Sequence, residues 1–119
     1  MKHNWTGGSS LISPNFKHPS LISHAANPLP IILSKNLFRI FYSGRNNNNQ
    51  SSIGFIDFNI ETNEIIREGI SPVLDCRNGE SFYEDGISIG NMFEMNDEDF
   101  ILFMAWKNKP NEHWMGEIG

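Results

Sequence analysis

From Pro30 onward no stretch of the chain keeps an apolar period of 3.6 residues over three helical turns. Short runs rich in Ile and Phe alternate instead with clusters of turn-forming residues. That texture predicts an all-β fold. "IILS" reads as a first strand, "LFRIFYSG" as a second, "SSIGFIDFNI" as a third and "EIIREG" as a fourth. In the third, Ile53, Phe55 and Asp57 alternate with Gly54, Ile56 and Phe58, the period of two that gives a strand separate faces. Lys35-Asn36 suits a two-residue hairpin, and "RNNNNQ" at 45–50 forms a wider polar loop whose Asn residues tolerate left-handed backbone. Beyond "SPVL", the runs "ISIGNMFEM", "DFILFMAW" and "HWMGEIG" read as three further strands. Residues 1–28 carry Pro14, Pro19 and Pro28 among Gly, Ser and His, and read as an extended lead-in segment.

Sliding the chain by sixty-two positions superposes the second set of strands on the first. Phe38 falls on Phe100, Ile40 on Leu102, Phe41 on Phe103, Ile53 on Met115, Gly54 on Gly116 and Ile56 on Ile118. Arg45 falls on Lys107 and Asn49 on Asn111, so the intervening loop also keeps step without a gap. Two units follow, 29–74 and 75–119. Four-stranded antiparallel units of this length are what a β-propeller blade requires, since a lone sheet leaves a face uncovered and needs neighbours. The second unit stops in its third strand at Gly119, so the chain is expected to be an incomplete propeller, its partners including the missing blades.

A net charge of −5 gives no basic footprint for nucleic acid or an anionic membrane. "MKHNWTGGSS" has no signal-peptide apolar region, and no run approaches the ~20 apolar residues of a membrane span. A soluble, cytoplasmic chain is expected. Its one cysteine, Cys76, has no partner for an internal disulfide and reads as a small turn residue in "LDCRNG". His and Cys lie in unlike contexts without ligand spacing, and no Gly-rich phosphate loop or Gly-x-Ser-x-Gly elbow occurs, so neither metal nor cofactor is called for.

In a propeller the first strand of each blade lines the central channel, and the residues opening it reach an axial site. Here these are "SHAANP" at 23–28 and "YEDGIS" at 83–88, and the sixty-two-residue shift pairs His24 with Gly86 and Ser23 with Asp85. The chain at this point resembles the five-bladed β-propeller proteins related to glycoside hydrolase families 43, 32 and 68, in particular bacterial glycosidase-like members associated with polysaccharide metabolism. The stretches that carry the likeness are "SHAANPLPIIL", "FRIFYSGRNNNNQSSIGFIDFNI", "SPVLDCRNGESFYEDGI" and "FILFMAWKN". Family members tend to show a His-Ala element before the first strand, an Arg-Asp pair ending the next, Ser-Ile-Gly opening the third and Gly-x-Phe-Asp-Asp-x-Gly-Val opening blade two. The resemblance implies a saccharide or glycoconjugate ligand, with Glu84 and Asp85 as candidate catalytic carboxylates and His24, Asn27, Arg45 and Trp106 as substrate contacts.

Two positions depart from the family pattern: Asn46 follows Arg45, and Tyr83 follows Phe82 where the first aspartate is expected. Tyrosine does not serve as a carboxylate base near neutral pH. Glycosidic cleavage uses two carboxyl groups across the scissile bond, ~5–5.5 Å apart for retention and ~6.5–9.5 Å for inversion. Glu84 and Asp85 are adjacent and in a strand point to opposite faces, so one of them at most serves a given bond. By itself the chain is expected to be inactive, and a non-catalytic carbohydrate- or protein-binding propeller is the alternative. "FYEDGI" reads equally as a solvated acidic turn, Arg45 as a surface ion pair and His24 as a backbone-bonded residue. Trp106 is the candidate stacking platform, and Trp114 reads as packing between strands.

Overall fold

A computed structural model describes residues 3–4, 6–13, 18–76 and 82–119. Its seven strands are β1 (Ser23–Ile32), β2 (Leu37–Arg45), β3 (Ser51–Asn59), β4 (Glu64–Glu68), β5 (Gly86–Met95), β6 (Glu98–Lys107) and β7 (Met115–Ile118). All belong to one sheet that curls into a half-barrel. The all-β expectation therefore holds. No helix among the described residues is long and apolar enough to cross a membrane.

The turns explain the strand boundaries. Ser34 and Leu37 exchange backbone hydrogen bonds around Lys35-Asn36, the two-residue hairpin expected there. Between β5 and β6, Asn96 and Asp97 both hold positive φ, 55° and 61°, which matches the twist of the strands that they join. The loop at 45–50 is closed by Asn46, whose Oδ1 accepts from the backbone N–H of Asn48 and of Gln50, while Asn49 takes φ 63°.

β1 to β4 run as an antiparallel meander, and β5 to β7 begin a second. The join lies on one edge of β3, where three segments share the unpaired backbone groups. β4 takes the end at Ile56–Asn59, Leu74 makes an isolated bridge to Ile53, and Gly86 of β5 pairs in parallel with Ser51. Side chains reinforce this seam: Ser51 Oγ donates to the Ile87 carbonyl at 2.7 Å, and Ile89 N–H donates to Ser43 Oγ at 3.4 Å.

Alternation sorts the core to both faces of the first unit. Phe41 and Ile53 join Cys76, Ile87 and Ile89 in a cluster shared by the two units, so docking buries apolar surface that neither hides alone. Tyr42, one position after Phe41, and Ile56, three after Ile53, face the other way and pack with Leu21 from the chain preceding β1. Fully burying one such Ile contributes about 1.5–3 kcal/mol. Asp57, on the Phe55 face, is buried against Arg39, its cross-strand partner. Cys76, read from the sequence as a small turn residue, is buried in the core.

Two expectations need correction. The first strand starts at Ser23, inside the stretch read as lead-in, because positive φ at His24 and Asn27 and two register shifts let an irregular, proline-bearing edge strand pair with β2 as far as Arg45. The repeat keeps its sixty-two-residue step through β5 and β6 and then slips by two. Ser51 opposes Arg45, whereas Met115, and not residue 113, opposes Lys107. The loop at 108–114 is thus two residues longer than its counterpart, although Asn49 and Asn111 share φ 63°.

Candidate functional site

A cleft of about 510 Å³ opens where β2 ends, β5 begins and β6 ends. Each wall has a local cause. Arg45 closes β2, and the turn set by Asn46 brings Asn48, Asn49 and Gln50 round to the rim. Gln50 Nε2 donates to the Glu84 carbonyl at 2.9 Å, tying that rim to the segment that enters β5. Across the cleft, Trp106 near the end of β6 pairs with Gly86, and the longer following loop adds Asn108 and Trp114.

Four of the six residues expected from sequence come together here: Asn27, Arg45, Asp85 and Trp106. Asn27 reaches across from β1 and donates through Nδ2 to Ser88 Oγ at 2.6 Å, so first strands of both units do contribute to one cleft. Asp85 accepts the backbone N–H of Asn108 on Oδ2, which fixes its carboxylate at the entrance to β5. Glu84 takes no part in the lining. Its carboxylate lies 3.6 Å from Lys107 Nζ, half exposed; Glu84 and Asp85 are the central residues of a turn that the Gly86 N–H closes on the Tyr83 carbonyl, so the acidic turn read as one alternative for this stretch is what the structure has. His24 is exposed and hydrogen-bonded through Nδ1 to Ser23 Oγ at 2.9 Å, outside the cleft lining. Gly79, Glu80 and Ser81 of the acidic stretch lie outside the described residues.

Trp114 was expected to pack between strands. It is instead 61% exposed and lines the cleft, because the lengthened loop before β7 carries it to the surface. Its edge rests on Gly116, where a Cβ would come within 2.7 Å of the ring. Asn108, Ser88 and the loop amides were likewise not singled out from sequence. The repeat contained a signal for Asn108, since it is the counterpart of Asn46 and follows the basic residue that closes the second strand in each unit. Among the described residues no group of His, Cys, Asp and Glu side chains is arranged to hold a metal ion.

Fold and cleft together define an all-β protein on a curled, largely antiparallel sheet, with a polar, tryptophan-bearing cleft at the junction of two strand units. Two uncharacterized proteins from two strains of Mycobacterium tuberculosis are each 31% identical to the chain over 98 residues, 82% of the chain and 33% of their own length. The chain thus spans about a third of the length of the curated relatives that it matches. No family model matches it, and no solved structure does.

Proposed function

We propose that the chain recognises a saccharide in this cleft, as part of a glycosidase-like β-propeller. The observation that carries the reading is the meeting of two indoles, Trp106 and Trp114, with five neutral amides (Asn27, Asn48, Asn49, Gln50 and Asn108) in one open cleft. A pyranose offers an apolar C–H face that suits an indole, and a ring of hydroxyls that both donate and accept. Asn and Gln carry both functions on one planar group and answer hydroxyls of either orientation. The motif resemblance from Ser23 to Asn108 supports the propeller part, as do the two consecutive antiparallel units sharing a core.

Recognition is favoured over hydrolysis by the carboxylate count. Asp85 alone of the described acids lines the cleft, whereas cleavage uses two carboxyl groups on opposite sides of the bond. With Glu84 held by Lys107, a hydrolytic role would require an acid from elsewhere.

Tryptophan fluorescence titration of the chain against a panel of neutral and acidic oligosaccharides tests the proposal, with a reducing-end assay on the same mixtures. Expected are a saturable change for at least one sugar, about tenfold weaker binding in Trp106→Ala or Trp114→Ala, and no released reducing ends. A flat response across the panel rejects saccharide recognition, and new reducing ends reject the non-catalytic reading.

A further inference from the structure

We infer that the cleft selects an acidic saccharide, whose sugar carboxylate is held by Arg45. The inference rests on the saccharide reading above and names its substrate class. It starts from a difference between the two units. Arg45 and Lys107 occupy the same place, each closing the second strand of its unit and each opposed by the first residue of the third. Lys107 is neutralised by Glu84. Sixty-two positions before Glu84 stands Ile22, so the first unit has no acid in the corresponding place. Among the described residues no carboxylate lies within ion-pair distance of Arg45.

Arg45 makes one side-chain hydrogen bond, from Nη1 to Asn49 Oδ1 at 2.6 Å, and that acceptor is a neutral amide. A guanidinium has five N–H donors in a rigid fork. The remaining donors of a half-buried cation on the cleft wall thus have no fixed anionic partner among the described residues. Asp85 lines the same cleft without pairing to Arg45, and its Oδ2 is engaged by Asn108. An anionic group fits at Arg45 and hydroxyls fit toward Asp85, which orients the sugar between them.

A carboxylate fits better than a phosphate. Its two oxygens match the fork bidentately, and it brings a single negative charge. Arg45 is the one cation among the described residues that line the cleft, so a phosphate dianion would keep a net charge facing Asp85.

The experiment is a fluorescence or calorimetric titration of the chain with oligogalacturonate and oligoglucuronate, each beside its carboxyl-reduced neutral counterpart, and with galactose 6-phosphate. Expected is about tenfold tighter binding of one acidic sugar than of its reduced form at low salt, narrowing as salt rises. Arg45→Gln brings that ratio close to one, and Arg45→Lys retains part of it. Equal binding of acidic and reduced forms overturns the inference and leaves saccharide recognition standing. Tighter binding of the sugar phosphate overturns the carboxylate assignment, and binding of none of these sugars overturns both readings.

Discussion

The six-membered ring of Trp106 lies directly against the backbone of Gly86, so closely that a Cβ at that glycine would fall 2.2 Å from the indole. Gly86 is therefore the floor on which one wall of the cleft is seated, which explains why a glycine interrupts the strand pattern after the acidic pair. Gly86→Ala is expected to push the ring off its seat. Overpacking of this kind costs about 1–3 kcal/mol, and saccharide affinity should fall by about as much as in Trp106→Ala. Urea unfolding and fluorescence titration of the variant measure the two effects, and unaltered binding would show that the seat of the indole is irrelevant to the ligand.

The Glu84–Asp85 pair separates a cleft residue from a surface ion pair within two positions. Asp85→Asn should weaken saccharide binding by about tenfold or more, since it exchanges a charged acceptor for a neutral amide. Glu84→Gln removes only an exposed pair with Lys107, of a class that contributes about 0–1 kcal/mol, and should leave binding within twofold. Side-by-side titrations decide. The opposite ranking would mean that the carboxylate facing the ligand has been misassigned.

Why Asp85 and not Glu84 could not be read from the sequence is a matter of side-chain direction, since the two are the central residues of the turn that leads into β5 and the local pattern does not say which of them faces the cleft. The strands were legible because their turns are written in residues that accept left-handed backbone, Asn49, Asn63, Asn96 and Asp97 among them. The first half of β1 was not, because His24, Asn27 and Pro28 break the alternation and only pairing with β2 draws them into the sheet. Arg45 and Trp106 were legible as strand-end residues of a repeat. Trp114 was hidden by the two extra residues in its loop, which make its sixty-two-residue counterpart, Ser52, a poor guide: Ser52 is fully buried and bonds the backbone of Cys76, whereas Trp114 stands at the surface.

Arg39 and Asp57 form a two-pronged bridge, Nε to Oδ1 at 2.8 Å and Nη2 to Oδ2 at 3.0 Å, with the guanidinium 4.4 Å above the Phe55 ring. Donation to the Asp57 carboxylate holds the Arg39 guanidinium above its ordinary proton affinity. Asp57→Ala leaves Arg39 stacked but without its acceptor. Because Arg39 is 28% exposed and recovers some water, the expected cost is about 1–3 kcal/mol, below that of a fully buried broken pair. The double variant Arg39→Met, Asp57→Leu should recover most of that loss. Chemical denaturation of the four proteins gives the coupling energy, and a value near zero would mean that the bridge adds nothing to stability.

Tyr42 gives the fold an alkaline limit. It packs in the cluster with Leu21 and Ile56, over Gly54, and burial raises its proton affinity first, with the charge of Glu68 adding in the same direction. The folded chain therefore holds the phenolic proton more tightly than the unfolded chain, whose tyrosine titrates near pH 10. By linkage the contribution is fully present below that pH and is lost as pH rises through the higher folded value. Arg39, whose proton affinity is also raised, titrates well above this window. Tyr42→Phe removes the ionisable group while keeping the ring. Its urea midpoint should therefore run parallel to that of the parent chain below about pH 9 and fall less steeply above about pH 10. Parallel curves up to pH 11 would mean that the phenol ionises without unfolding the packing around it.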